Sequence, residues 1–212
     1  MLIRHIGHAE FYLLTESGTA IVTDPYDAAC GYPVTPVAAD AVLVSHHHSD
    51  HDAVENVTGH PRVIDTEGVH TLEPGLRVTG IRAFHDDAGG SRRGKTLLFL
   101  IETEGLRVAH LGDLGDGLTE EQIRLLKGID VLMIPTGGFY TIDAKKARDI
   151  AESLAAGIII PMHYRTEYNA EWPIEGVRAF TDLYRPEEIR QDGNALRVTR
   201  EDRKCHPRVV VL

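Results

Sequence analysis

The sequence predicts a layered α/β (α+β) fold, with β-sheets packed on one another and helices outside. Three observations lead there. The first half of the chain is rich in short strand-like segments. The second half alternates strands with helices, which suits neither a bundle nor a simple barrel. Several apolar strands also run straight into a histidine or an aspartate, as expected where a rigid sheet positions chemistry at its strand ends. At 212 residues, the chain fits one domain spanning 1–212, and its 42% hydrophobic content suffices for a sizeable core.

Met1–Ile6, Glu10–Thr15 and Thr19–Thr23 read as strands, with Gly7-His8-Ala9 interrupting the first pair and Glu16-Ser17-Gly18 turning the second. Asp24-Pro25 ends the third strand, because proline cannot continue the ladder, and leaves a carboxylate there. Residues 26–40 form an irregular loop. Ala41-Val42-Leu43-Val44 is a buried strand, and a short helix is expected from His51 to about Val57. Pro61–Asp65 and Gly75–Phe84 are strands, followed by the glycine-rich polar loop His85–Gly94. Lys95–Thr103 and Leu106–Leu111 form a hairpin around Glu104-Gly105. Thr119-Glu120-Glu121-Gln122 fits a capping box opening a helix to about Lys127. After the strand Asp130–Ile134, Asp143 can cap a helix that ends near Ala155, before Gly157. Gly157–Ile160 is a buried strand, Val177–Leu183 is helical, and Ala195–Thr199 is a strand. The apolar run Val209–Leu212 either closes a sheet or forms an interface, which leaves a homo-oligomer open.

The chemistry concentrates in Ser45-His46-His47-His48-Ser49-Asp50-His51-Asp52, where four imidazoles and two carboxylates fall within eight residues. Alternate residues of an extended segment project to one side, so His46 and His48 can converge. Asp50 and His51, past the bend, can reach a second point. Neutral imidazole nitrogen and carboxylate oxygen suit borderline divalent cations such as zinc. Val78–Phe84 runs into His85, Arg107–Leu111 into Asp113, and Ile158–Ile160 into His163. A single histidine after a strand is more often an ordinary surface residue; the joint occurrence is the signal.

The series His46-x-His48-x-Asp50-His51, then His85, Asp113 and His163, resembles the metallo-β-lactamase superfamily. The pieces Gly7-His8-Ala9, Thr23-Asp24-Pro25, His110-Leu111-Gly112-Asp113 and Gly137–Asp143 resemble its compact metal-dependent hydrolases, which include relatives of ascorbate-6-phosphate lactonase. The resemblance implies a four-layer αββα sandwich with a dinuclear site between the sheet edges. His46, His48 and His85 would hold one metal; Asp50, His51 and His163 would hold the second; Asp113 would bridge them. It further implies a metal-dependent hydrolase using a bridging hydroxide to cleave a small ester, lactone or phosphodiester, with Asp50 as the catalytic carboxylate that orients it. Two divalent ions are expected, zinc first, with manganese, iron and cobalt as fits to a similar shell.

Other residues carry weaker readings. His47 should face away from the ligands. His8, Asp24 and His110 are candidates for support behind the ligands or for lining the cleft. Arg92, Arg93, Tyr140 and Arg165 are candidates for binding an anionic small-molecule substrate, as guanidinium geometry suits phosphate or carboxylate. His5, His60, His70 and His206 read as ordinary. The two cysteines, Cys30 and Cys205, make neither a disulfide framework nor a thiolate metal site. A net charge of −10 disfavours nucleic-acid and membrane-surface partners. Met1–His5 shows no secretory pattern, and no stretch approaches the ~20 apolar residues of a membrane span, so a soluble cytoplasmic protein is expected. A periplasmic β-lactamase, a thioesterase with a helical C-terminal region, a flavin-coupled oxygen reductase and an RNA-processing nuclease each lack a required piece. A non-catalytic metal-binding regulator and a nuclease with a localised basic patch remain the alternatives.

Overall fold

The protein was analysed as a computed structural model that describes residues 1–204 and 208–212. Cys205 and His206 lie outside the described residues. Its strands in chain order are β1 (Leu2–Gly7), β2 (Glu10–Leu14), β3 (Ala20–Thr23), β4 (Val37–Ala38), β5 (Ala41–Leu43), β6 (Val57–Thr58), β7 (Arg62–Ile64) and β8 (Gly68–Glu73). They continue with β9 (Leu76–Phe84), β10 (Lys95–Thr103), β11 (Leu106–His110), β12 (Val131–Pro135), β13 (Ile158–Met162), β14 (Ile189–Gln191), β15 (Ala195–Arg197) and β16 (Val209–Val211). The α-helices are α1 (Glu120–Leu126), α2 (Ala144–Ser153) and α3 (Arg178–Thr181).

Two mixed sheets carry the fold, one ordered β15-β1-β2-β3-β5-β7 and the other β14-β16-β13-β12-β11-β10-β9-β8. In each, an antiparallel meander passes into parallel strands, at β3–β5 in the first sheet and at β11–β12 in the second. Ile3, Phe11, Leu13, Ile21 and Leu43 of the first sheet meet Val78, Phe99, Ile101, Val108, Met133 and Ile160 of the second in one buried cluster. The centre of the second sheet is buried on both faces, which is why β12 and β13 are apolar throughout instead of alternating. Its outer face packs Leu98, Leu100, Leu132 and Ile159 against Leu126 of α1, Ala147 and Ile150 of α2 and Phe180 of α3. The outer face of the first sheet is covered by a thinner layer, in which Val22, Val42 and Val44 pack on Ala39, Val57 and Val54.

Local signals act where expected. Thr119 and Gln122 form the reciprocal capping box of α1, and the Asp143 carboxylate accepts from the Lys146 N–H to start α2. The helix expected after His51 does not form. Ala53 N–H is taken by the Pro25 carbonyl (2.9 Å) and Val57–Thr58 pair with Val37–Ala38, so only a 3₁₀ turn at Val54–Asn56 remains. Four strands went unforeseen: the short pair β4 and β6, β8, a largely exposed edge strand without apolar alternation, and β14, which exists through parallel pairing with β16. That pairing resolves the role of the apolar tail: β16 lies inside the second sheet, between β13 and β14.

Glycine allows the strand-end loops to approach one another. Gly112 adopts φ +47°, and a Cβ there would meet Ser45 Cβ and Thr96 Oγ1 at 2.7 Å. Gly115 donates to the Phe84 carbonyl (2.8 Å), and a Cβ on it would fall 2.3 Å from the backbone of His85 and Asp86. Gly115→Ala should therefore destabilise the fold by about 2–4 kcal/mol, because backbone rather than a flexible side chain must yield. Urea unfolding with and without the substitution measures this; a change within experimental error would show that the two loops can separate freely.

Candidate metal centre

The centre forms where loops leave the two sheets at the same edge. β5 delivers the chain to Ser45, and residues 45–50 then bend instead of continuing as a strand. His46 and His48 still converge, with Nε2 of the first 3.0 Å from Nδ1 of the second; the bend does this, not strand alternation. His85 follows β9, Asp113 follows the turn after β11, and His163 follows β13.

Asp113 is the hub. It is 2% exposed, and its carboxylate is ringed by Nε2 atoms: His163 at 3.2 Å, His51 at 3.3 Å, His85 at 3.4 Å and His46 at 4.0 Å. Oδ1 faces His51, while Oδ2 faces the other three. The candidate ligand atoms of His46, His48 and His85 lie within 4.8 Å of one another, as do those of His8, Asp50, His51 and His163. His46, His51 and Asp113 form an overlapping third group at the same limit.

His8 stands closer in than its sequence context indicated. Its Nε2 is 3.4 Å from Asp50 Oδ2, its ring centroid is 4.2 Å from that of His163, and neither ring nitrogen has a hydrogen-bond partner among the described residues. His47 turns outward toward Asp52 (3.3 Å) and Asp65 (3.6 Å).

Behind this set stands Asp24, fully buried at the end of β3. One oxygen accepts from Ser45 N–H (2.7 Å). The other accepts from Ser45 Oγ–H (2.7 Å) and from His51 Nδ1 (2.9 Å). Ser45 Oγ, its proton given to Asp24, accepts in turn from His46 Nδ1 (2.9 Å). Both imidazoles are thus held through Nδ1–H and turn Nε2 toward Asp113, where His46 Nε2 also meets His48 Nδ1. His110 is different. Its Nε2–H donates to the Ala9 carbonyl (2.9 Å) and its Nδ1 accepts from Gly112 N–H (3.1 Å), so it fixes the approach to Asp113 without a free lone pair.

These residues fit a cation by their chemistry. His51 Nε2 and Asp113 Oδ1 are buried with no hydrogen bond, a state that is costly unless some other group engages them. The ionisation pattern agrees. Burial, helped by neighbouring imidazoles, pushes His8 and His46 down to about 3. Burial would raise Asp113, yet His163 and His51 hold it well below the usual carboxylate range. Burial would lower His51, yet Asp113 and Asp24 on either side pull it well above its ordinary value. Positive charge is therefore favoured at this point, as a proton or as a metal ion that replaces it.

The centre floors a cleft of about 400 Å³ lined by Ala29, Cys30, His48, Asp50, His85, Arg92, Arg93, Asp113, Tyr140, His163 and Trp172, together with Ser49. Trp172 escaped the sequence reading, although it is the chain's one tryptophan; it lies edge-on to His8 at 5.3 Å. Arg165 does not line the cleft. The chain turns at His163 (φ +51°), and Arg165 is exposed, its backbone bridged to Gly176. A larger groove, about 670 Å³, runs past Arg4, Tyr32 and Tyr168, but the imidazole it offers, His5, faces the Leu212 and His8 carbonyls instead.

Replacing Asp24 with Asn should weaken metal affinity about 10- to 100-fold, because an amide cannot accept all three protons that orient Ser45 and His51; competition with a chromophoric chelator reads it out. A pH effect follows as well. His5, His8, His46 and His110 have folded-state pKa values below the ordinary 6.5. The unfolded chain therefore binds more of their protons, and stability falls as pH drops from about 6.5 toward 3. The raised His51 opposes this with a single group. The urea midpoint of chelator-treated protein should be lower at pH 5 than at pH 7; equal midpoints would mean that these histidines charge without cost in the native state.

Residues 2–163 match the family model of a beta-lactamase superfamily domain. The chain is 29% identical to a UPF0173 metal-dependent hydrolase of Methanosphaera stadtmanae over 82% of this chain and 88% of that one. It is 30% identical to a namesake from Thermococcus onnurineus over 81% of this chain and 85% of the other. A Thermotoga maritima protein of the metallo-β-lactamase superfamily, 39% identical, superposes with a TM-score of 0.81 over 99% of this chain and 97% of its own. The metallo hydrolase Igni18 of Ignicoccus hospitalis shares the fold at 22% identity and a TM-score of 0.58, over 77% of this chain and 82% of that one. Strand-end ligand candidates from two packed sheets, a family model spanning most of the chain and a relative aligned along nearly its whole length agree: the chain belongs to the metallo-β-lactamase superfamily.

Proposed function

We propose that the protein is a metal-dependent hydrolase that cleaves a small ester, lactone or phosphodiester at a dinuclear centre, with zinc the first choice of metal. The observation that carries this reading is the pair of ligand-candidate groups, His46/His48/His85 and His8/Asp50/His51/His163, each with members that face the Asp113 carboxylate. A purely structural site needs one closed shell, whereas two groups sharing a carboxylate at the base of an open cleft suit catalysis. The names of the relatives, metal-dependent hydrolases, agree with it.

Bound there, divalent cations would supply Lewis acidity and bring the pKa of coordinated water from about 15.7 toward roughly 7. The chain's own residues do the rest. Asp113 would be shared by both ions. Asp50, partly exposed to the cleft, stays ionised because His8 and His51 outweigh the effect of its burial, so it can orient a reacting water as an acceptor. Trp172 and Tyr140, with ring centroids 6.0 Å apart, wall the cleft. The partner proposed is a small molecule, not nucleic acid: net charge is −10, and of the cleft-lining residues only Arg92 and Arg93 are lysine or arginine. No helix among the described residues is long and apolar enough to cross a membrane.

Elemental analysis of the purified protein, paired with assays on p-nitrophenyl esters, bis-p-nitrophenyl phosphate and simple lactones, tests the proposal. The expected result is about two equivalents of metal per chain, with Asp113→Ala losing at least one equivalent and at least about 10³-fold in kcat/KM. One equivalent or none after reconstitution, with no turnover across the panel, would turn the reading toward a non-catalytic metal protein. Salt-dependent binding of single-stranded DNA or RNA would favour a nuclease instead.

A further inference from the structure

Directly after His85, Asp86 is 3% exposed, and it is surrounded by the backbone of its own loop. Its Oδ1 accepts from Ala88 N–H (2.8 Å) and Gly90 N–H (2.9 Å). Its Oδ2 accepts from Arg92 N–H (3.0 Å) and Arg93 N–H (2.7 Å). Backbone bonds between His85 and Gly94 (3.1 Å) and between Gly94 and Gly90 (3.0 Å) close the loop. One carboxylate thus shapes the segment that carries both arginines to the cleft.

The two arginines then differ. Arg92 is exposed and its guanidinium is already paired with Asp87 at 3.0 Å. Arg93 is half-buried, with its guanidinium carbon 5.5 Å from the centre of the Tyr140 ring and 6.0 Å from that of Phe139. No ion pair or side-chain hydrogen bond of Arg93 occurs among the described residues. Phe139 is 62% exposed and holds φ +58°, a left-handed conformation that a bulky residue rarely adopts without a tertiary reason. The rim thus presents a positioned but unpaired guanidinium on aromatic faces, beside metal-ligand candidates in the same cleft. Five N–H donors in a planar fork match a carboxylate or a phosphate.

We propose that Arg93 is the specificity-determining residue of this cleft, binding a carboxylate or phosphate group of the substrate distinct from the bond that is cleaved, with Asp86 as the residue that positions it. The inference rests on the hydrolase reading for its kinetic consequence but not for binding. Arg92 serves the loop through Asp87.

The test uses the metal-loaded protein and two independent readouts. Trp172, the chain's one tryptophan, lines the cleft, so its fluorescence follows binding of succinate, inorganic phosphate and neutral succinamide. Arg93→Gln should weaken succinate or phosphate about 10- to 100-fold and leave succinamide unaffected. The tighter of the two anions identifies the class. Kinetics on p-nitrophenyl butyrate and p-nitrophenyl hydrogen succinate should show a rise in KM confined to the anionic ester. Arg93→Lys should recover part of that loss, and Asp86→Asn should shift KM in the same direction. Arg82→Gln, which removes an equal charge away from the cleft, is the control. Equal losses on both esters in Arg93→Gln, or unchanged anion affinity, would overturn the inference. No turnover of any ester together with Arg93-dependent anion binding would instead remove the hydrolase reading and leave the anion site standing.

Discussion

The buried carboxylate of Asp24 is the interaction on which the rest of the centre depends. An ionised group taken wholly out of water survives only if its lone pairs are filled, and Asp24 fills them with Ser45 N–H, Ser45 Oγ–H and His51 Nδ1. Burial acts to raise its pKa, yet the hydrogen bond and charge of His51 hold it below the usual carboxylate range. That one charge orients His51 directly and His46 through Ser45. It also stands at the end of β3, whose last residues are fixed by pairing with β5. Ring orientation in the centre is therefore tied to strand register in the first sheet.

A second constraint is the seam between the sheets. His46, His48, Asp50 and His51 follow β5 of the first sheet, while His85, Asp113 and His163 follow strands of the second. Apolar burial between the sheets supplies most of the force that holds the halves together, but it is non-directional. Register across the seam comes from hydrogen bonds: Leu97 N–H to the Ser45 carbonyl (2.8 Å), His163 N–H to the His8 carbonyl (3.1 Å) and His110 Nε2–H to the Ala9 carbonyl (2.9 Å). The backbone is unusual in the same region. His8, Asp24, Phe139 and His163 all have positive φ without being glycine, and such conformations persist only where the surroundings over-determine them. Strain, buried charge and unpaired donors thus coincide around one cleft, as expected for a site and not for a packing feature.

Legibility from the sequence followed how local each cause was. Strands with continuous apolar runs, such as β10 and β13, were readable because burial on both faces leaves a compositional trace. The caps of α1 and α2 were readable because Thr119, Gln122 and Asp143 act within three residues. β8 and β14 left no trace, since an exposed edge and a distant parallel partner impose no pattern on the residues themselves. The expected helix after His51 lost to tertiary partners at Pro25 and at Val37–Ala38. Arg165, adjacent in sequence to a ligand candidate, was carried out of the cleft by the turn at His163. Arg92 and Arg93, indistinguishable as neighbours in a basic cluster, were separated by a single ion pair to Asp87.

By itself, the sequence determined the donor types and their order at the ends of apolar strands, because imidazole and carboxylate chemistry and strand periodicity both belong to the residues that carry them. It also set the acidic balance of the chain, a net charge of −10. Only the tertiary structure decided which ring nitrogens turn toward Asp113, since Asp24 and Ala9 lie far along the chain from the His51 and His110 whose N–H groups they accept. Likewise it decided that His8 joins the ligand cluster, that Trp172 walls the cleft and that Asp86 holds the loop bearing Arg93. Each of these depends on distance and direction between segments, and those are set when two sheets close on a shared core.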